Sequence, residues 1–192
     1  MPMKCNTRLI FNFLFPALLL GSALARAGSQ DAHTHGLATL TLALENEMLE
    51  IRFESPAANL VGFEHAARSA KEKEAAAHLE TVLKEPVRLF AFIGTHCQLI
   101  KTAVDVSGVA VDEHNKTKEH DHHSHSKEHE ESDHSEISAE YLFSCKNLKQ
   151  LDSVSVDLMN QFAGIEKIDV MWITETKQGA VALTPNNNVI AL

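Results

Sequence analysis

Seven of the chain's twelve histidines fall between His114 and His134, inside the run DEHNKTKEHDHHSHSKEHEESDHSE that spans Asp112 to Glu136. His114, His120, His122, His123, His125, His129 and His134 alternate irregularly with nine carboxylates and only three lysines. Neutral imidazole is a good ligand for Zn, Cu and Ni, and neighbouring carboxylates add the negative charge that a cation site needs. The run is internal and irregular, which excludes a purification tag. It holds no aromatic and no aliphatic residue. It therefore cannot bury enough apolar surface to offset ordering its backbone, and a disordered, metal-binding insertion is expected over residues 112–136. The plainer alternative is a solvated acidic linker that happens to be rich in histidine.

Other residues could complete or compete with that chemistry. His33-Thr34-His35 places two imidazoles on one side of an extended segment, a usable bidentate pair. His65 follows Glu64, and the two could form a metal ligand with its supporting carboxylate. The sequence His125-Ser126-Lys127-Glu128-His129 matches the H-x-x-E-H pattern of one metalloprotease group. That motif works only on a helix that aims the glutamate at a zinc-bound water, and Ser126, Ser132 and Ser135 are weak helix formers. A match is expected by chance in a tract so dense in His and Glu. With no H-E-x-x-H, nucleophile elbow or phosphate loop elsewhere, the chain reads as non-enzymatic, with a metal-dependent hydrolase as a minor alternative.

The amino terminus sets the compartment. Lys4 and Arg8 precede or open a nearly all-apolar stretch, Leu9 to Leu20, and Ala25-Arg26-Ala27 supplies a small-x-small cleavage pattern. Ala23-Leu24-Ala25 is a competing site. The apolar stretch is shorter than the roughly 20 residues of a membrane span and contains Pro16. Residues 1–27 are thus expected to be a cleaved signal, leaving one exported, periplasmic domain of residues 28–192 that is not held in the membrane. Cleavage removes Lys4, Arg8 and Arg26 and no acid, so the formal charge moves from −9 to −12. So acidic a chain is poorly suited to nucleic acid or anionic membranes and well suited to cations. Cys97 and Cys145 are the two cysteines left, and an oxidising compartment should join them. Closing a loop of that length stabilises by roughly 4 kcal/mol in the chain-entropy picture.

The elements that must position these groups follow from periodicity. Alternation predicts strands at Leu37–Leu44 and Met48–Phe53 with a tight turn at Glu45-Asn46-Glu47, then a structured loop through Ser55–His65. Ser69 and Glu72 form a capping-box pattern opening a helix to about Lys84, stopped by Pro86, with Ala75, Ala76, Leu79, Val82 and Leu83 on its apolar face. Further strands are expected at Val87–Ile93, Cys97–Val106, Ile137–Cys145, around Val154, Val156 and Leu158, around Ile168, Val170 and Trp172, at Ala180–Leu183 and at Val189–Leu192. One principal helix among many short strands, without β-α-β alternation, predicts an α+β domain with a mainly antiparallel sheet and a long histidine-rich loop.

Five segments occur together: His33-Thr34-His35-Gly36, the block SPAANLVGFEHA from Ser55 to Ala66, the His-rich insertion, HSEISAEYLFSC from His134 to Cys145, and MWIT from Met171 to Thr174. On these residues the chain resembles the ZrgA-like family, zinc-regulated, His-rich periplasmic proteins of Gram-negative bacteria. The resemblance implies binding of Zn(II) in support of zinc acquisition, with a periplasmic zinc importer component as the beneficiary, and it supplies no catalytic residues to carry over. Copper or nickel sequestration remains an alternative from the residues alone, since imidazole sites favour Cu(II) by intrinsic affinity. An importer's own solute-binding component fits less well, because it needs a closed site between lobes.

Overall fold

The structure, a computed structural model, describes residues 34–110 and 135–192. Strand β1 (Leu37–Glu45) turns directly into β2 (Met48–Pro56), with Asn46 at φ 49° and Glu47 at φ 66° in the two-residue turn. Two successive left-handed residues match the twist of the flanking strands, which is why the hairpin closes so tightly with Glu45 opposite Met48. Helix α1 (Ala57–Val61) follows at once, and the longer α2 (Ala70–Leu83) comes after a loop. Then come β3 (Phe90–Ile93), β4 (Cys97–Asp105), β5 (Glu136–Cys145), β6 (Ser153–Val156), the short α3 (Leu158–Gln161), β7 (Lys167–Ile173), β8 (Gln178–Leu183) and β9 (Val189–Ala191).

These strands make two sheets. The larger has the order β4-β5-β2-β1-β7-β8 and the smaller β3-β6-β9. Every pairing is antiparallel except β1 with β7, which runs parallel from Leu37 opposite Lys167 to Ala43 opposite Ile173. Alternation in β1, β2 and β5 buries Leu40, Leu42, Ile51, Phe53, Ala139, Tyr141 and Phe143 on one face. The smaller sheet covers that face through edge-on aromatic contacts, Phe90 with Tyr141 and Phe92 with Phe143. Helix α2 contributes Leu79, Val82 and Leu83 to the same core. Each such side chain stabilises by about 1.5–3 kcal/mol when removed from water. The Tyr141 hydroxyl donates 2.8 Å to the Leu83 carbonyl, which ties α2 to the sheet, and burial pushes its pKa upward.

Helix α2 begins as its sequence requires. The Ser69 hydroxyl accepts from the Glu72 amide at 3.2 Å, and the Glu72 carboxylate accepts from the Ser69 and Arg68 amides at 2.8 Å each. Those two amides hold the Glu72 carboxyl below the usual carboxylate range.

Three stretches depart from periodicity. Ser55–His65 is not all loop, since Ala57–Val61 form a helical turn closed by Gly62 at φ +84°. Val87 to Leu89 are not strand, because Pro86 opens a 3₁₀ turn in which the Leu89 amide donates to the Pro86 carbonyl at 3.0 Å. Leu158 belongs to α3 rather than β6. Asp157 leaves the extended region at φ −101°, ψ 8°, and its carboxylate accepts the Gln161 side-chain amide at 3.0 Å. The expected pairing of Cys97 with Cys145 is formed, and the two are opposite each other in the β4–β5 ladder. No helix among the described residues is long and apolar enough to cross a membrane.

Candidate metal centre

The site is built at the end of the large sheet where β1 begins. Gly36 takes φ +83°, and a side chain there would press within 3.1 Å of the Glu166 carboxyl group. Its amide donates 2.7 Å to Asn59 Oδ1, and its carbonyl accepts from the Glu166 and Lys167 amides at 2.8 and 3.0 Å. Asn59 is buried, and its Nδ2 donates to the Leu37 carbonyl at 2.9 Å and to Ser55 Oγ at 3.1 Å. One amide side chain from α1 therefore clamps both sides of the β1 entry. His35, the neighbour of the clamped Gly36, is held at the surface with 70% of its side chain exposed.

Glu64 comes to His35 from the loop after α1. Its Oε1 lies 3.3 Å from His35 Nε2, and its side chain is only 15% exposed. A carboxylate beside an imidazole is a pair that can ligate a cation directly or orient a ligating ring. His65 stands next to Glu64, stacked on Phe63 with ring centroids 5.2 Å apart. Its Nδ1 lies 3.0 Å from the Ala66 carbonyl, which can only accept, so a neutral ring in this geometry keeps Nε2 free as a donor to metal. The sequence pairs Glu64 with His65; the structure turns the Glu64 carboxylate to His35 instead.

Both feet of the insertion converge on the same loop. After β4 the Asp105 carboxylate accepts the Ser107 amide at 2.9 Å, which holds Asp105 below the usual carboxylate range. The Val109 and Ala110 amides then donate to the Val106 carbonyl at 3.0 and 2.9 Å. The fully buried Val109 accepts the Ala67 amide at 3.0 Å. On the returning side, the Ser135 carbonyl accepts the Ala57 amide at 2.8 Å. Its hydroxyl lies 2.8 Å from the Glu64 carbonyl and 2.9 Å from that of Gly108, so its single proton links the two. A side chain at position 108 would come within 2.7 Å of Ser135, so glycine is what lets the feet approach. Strand β5 begins at Glu136, opposite Pro56, the residue at which the expected insertion ends.

His33, His114, His120, His122, His123, His125, His129 and His134 lie outside the described residues. Among the described residues no group of three or more His, Cys, Asp or Glu could hold a metal ion. His35 and Glu64 make a pair, two groups short of the four ligands that zinc takes. His78 and His96 are exposed and take no part in this cluster. Sequence reasoning missed Asn59, Gly108 and Ser135, the residues that assemble the site. Asn59 and Ser135 are signalled only by membership of the quoted segments Ser55–Ala66 and His134–Cys145, and Gly108 only by standing four residues before the insertion at Asp112.

Fold and site together define an α+β scaffold organised to carry a histidine-rich insertion on one end of its sheet. The chain belongs to the ZrgA family: the family model described as ZrgA family zinc uptake protein matches residues 32–192. Its role accordingly lies in zinc acquisition. No curated protein matches the chain.

Proposed function

We propose that this protein captures and buffers Zn(II) in the periplasm and passes it toward a zinc importer, without catalysing a reaction. The carrying observation is the convergence of both feet of the insertion on the loop whose Glu64 carboxylate meets His35. The tract supplies most ligands, from His114, His120, His122, His123, His125, His129 and His134. His33, His35 and His65, with Glu64, supply a smaller set on the folded domain. Residues 1–27 direct export and are removed.

Many imidazoles along one tract offer a metal several alternative ligands, which suits capture and hand-off. The formal charge of −9 over the whole chain attracts cations to it. Seven tract histidines with their carboxylates can fill roughly one to two tetrahedral sites. The test is isothermal calorimetry of zinc into the chain from Gly28 onward. More than one zinc should bind, the later steps more weakly. A single tight site with no further uptake would count against buffering.

A further inference from the structure

The large sheet ends in β4 on one side and β8 on the other, and the small sheet in β3 and β9. An open strand edge exposes backbone donors and acceptors to any other strand, so edges are normally blunted by charge, bulges or brevity. Strand β4 is blunted by a register shift between Leu99 and Lys101 and by the charges of Lys101 and Asp105. Strands β3 and β9 are only four and three residues long. Strand β8, Gln178-Gly179-Ala180-Val181-Ala182-Leu183, carries no charge, no proline and no register shift against β7.

Its outward groups can be read from the ladder. The Thr174 amide donates to the Lys177 carbonyl at the hairpin turn, so Trp172–Gly179 and Val170–Val181 are the hydrogen-bonded pairs that follow. Gln178, Ala180 and Ala182 therefore turn their N–H and C=O groups away from β7. No described strand pairs with them. The sheet face beside this edge is also apolar where it is exposed, with Met171 59% and Ile173 52% accessible and Ala180 opposite Met171.

We propose that β8 is the dimerisation edge of this protein, pairing antiparallel with β8 of a second copy about a two-fold axis at Ala180. In that register Ala180 faces its own counterpart, Gln178 faces Ala182, and Lys177 faces Leu183. Every outward donor then meets an acceptor, and no charge meets its like. The second copy is the favoured occupant because the edge is self-complementary, whereas nothing on it would select a foreign strand by charge.

The test is sedimentation equilibrium of the chain from Gly28 onward, in chelator so that tract histidines cannot cross-link copies through metal. A concentration-dependent dimer is expected below about 200 µM. Ala180→Lys and Ala180→Glu should each weaken dimerisation by at least about tenfold, because like charges oppose at the axis. Both side chains are exposed there, so circular dichroism and melting temperature should stay as in the parent. Mixing the two variants should restore a one-to-one heterodimer, which a merely destabilised surface would not do. A monomer throughout the range overturns the proposal, whether the edge is free or taken by another strand. Dimers that survive Ala180→Lys, or variants that fail to recombine, overturn it too.

Discussion

His35 Nε2 sits 3.3 Å from Glu64 Oε1, so the first turn into β1 meets the loop that roots the insertion. With His35 mostly exposed, the pair is worth at most about 1 kcal/mol to stability. Its value is positional. His35→Ala should leave the melting temperature nearly unchanged yet weaken the tightest zinc step by on the order of tenfold. Parallel thermal melts and zinc calorimetry check this. A variant that binds zinc as the parent does would remove His35 from the site.

Deleting the tract should separate capacity from scaffold, and the structure says where to cut. Removal of residues 112–134 with a short turn spares Ser135 and Glu136, and should leave a folded, disulfide-linked domain with little change in melting temperature. Most zinc capacity should go. Extending the cut through Ser135 and Glu136 removes the link to Glu64 and Gly108 and the pairing with Pro56, and should lower stability by about 1–3 kcal/mol. Equal zinc uptake by the shorter cut and the full chain would make the tract a passenger.

Much of this was readable from the sequence because the signals are local. Alternation marks β1, β2 and β5, the Ser69–Glu72 box marks the start of α2, and His density marks the insertion. What was not readable is non-local. Nothing in Leu37–Ala43 announces a parallel partner in Lys167–Ile173, and no period shows that Asn59 will hold Gly36. The division into two sheets was hidden as well, because β3, β6 and β9 are too short to show on which sheet they lie. Glu64 was noticed for its neighbour in sequence, whereas its partner across space is His35.

Zinc uptake should fall steeply with pH. A ligating imidazole must be neutral, and an unperturbed one titrates near about 6.5, so affinity should drop between roughly pH 7.5 and 5.5 with proton release on binding. The scaffold should stay folded across that window. Glu72 and Asp105 are held below their ordinary carboxylate values by backbone amides, so their contribution is present above the unfolded range near about 4 and is lost only as pH falls further. Calorimetry in buffers of different ionisation enthalpy, with circular dichroism at each pH, separates the two effects. Flat affinity over the window would point to carboxylate-only ligation.

Asn59 should matter more than its exposure to any ligand suggests. Asn59→Ala leaves the Gly36 amide and the Leu37 carbonyl without their partner at the β1 entry. The expected cost is about 1–3 kcal/mol, read from urea denaturation. Asn59→Asp keeps an acceptor for Gly36 but sets a buried carboxylate oxygen against the Leu37 carbonyl, and should cost at least as much as the alanine variant near neutral pH. An alanine variant as stable as the parent would show that the clamp is idle.

The disulfide should stabilise the domain without touching the metal. Cys97 and Cys145 face each other at one end of the β4–β5 ladder, and the insertion leaves from the other end, beyond Asp105 opposite Ser138. The bridge closes a long loop, so its loss should cost up to about 4 kcal/mol in the unfolded-chain argument. Cys145 is buried, so alanine is the cleaner replacement at both positions, since serine would bury a hydroxyl. Cys97→Ala with Cys145→Ala should melt earlier than the parent under oxidising conditions, and reductant should bring the parent down toward the variant. Below its melting point the variant should bind the same number of zinc ions with the same affinity, because Glu64, His35 and the feet of the insertion are fixed by Ser135, Val109 and Asn59 and not by the bridge. A folded variant with reduced zinc stoichiometry would mean that strand register at the disulfide end governs the metal end, and that the two ends of the hairpin are not independent.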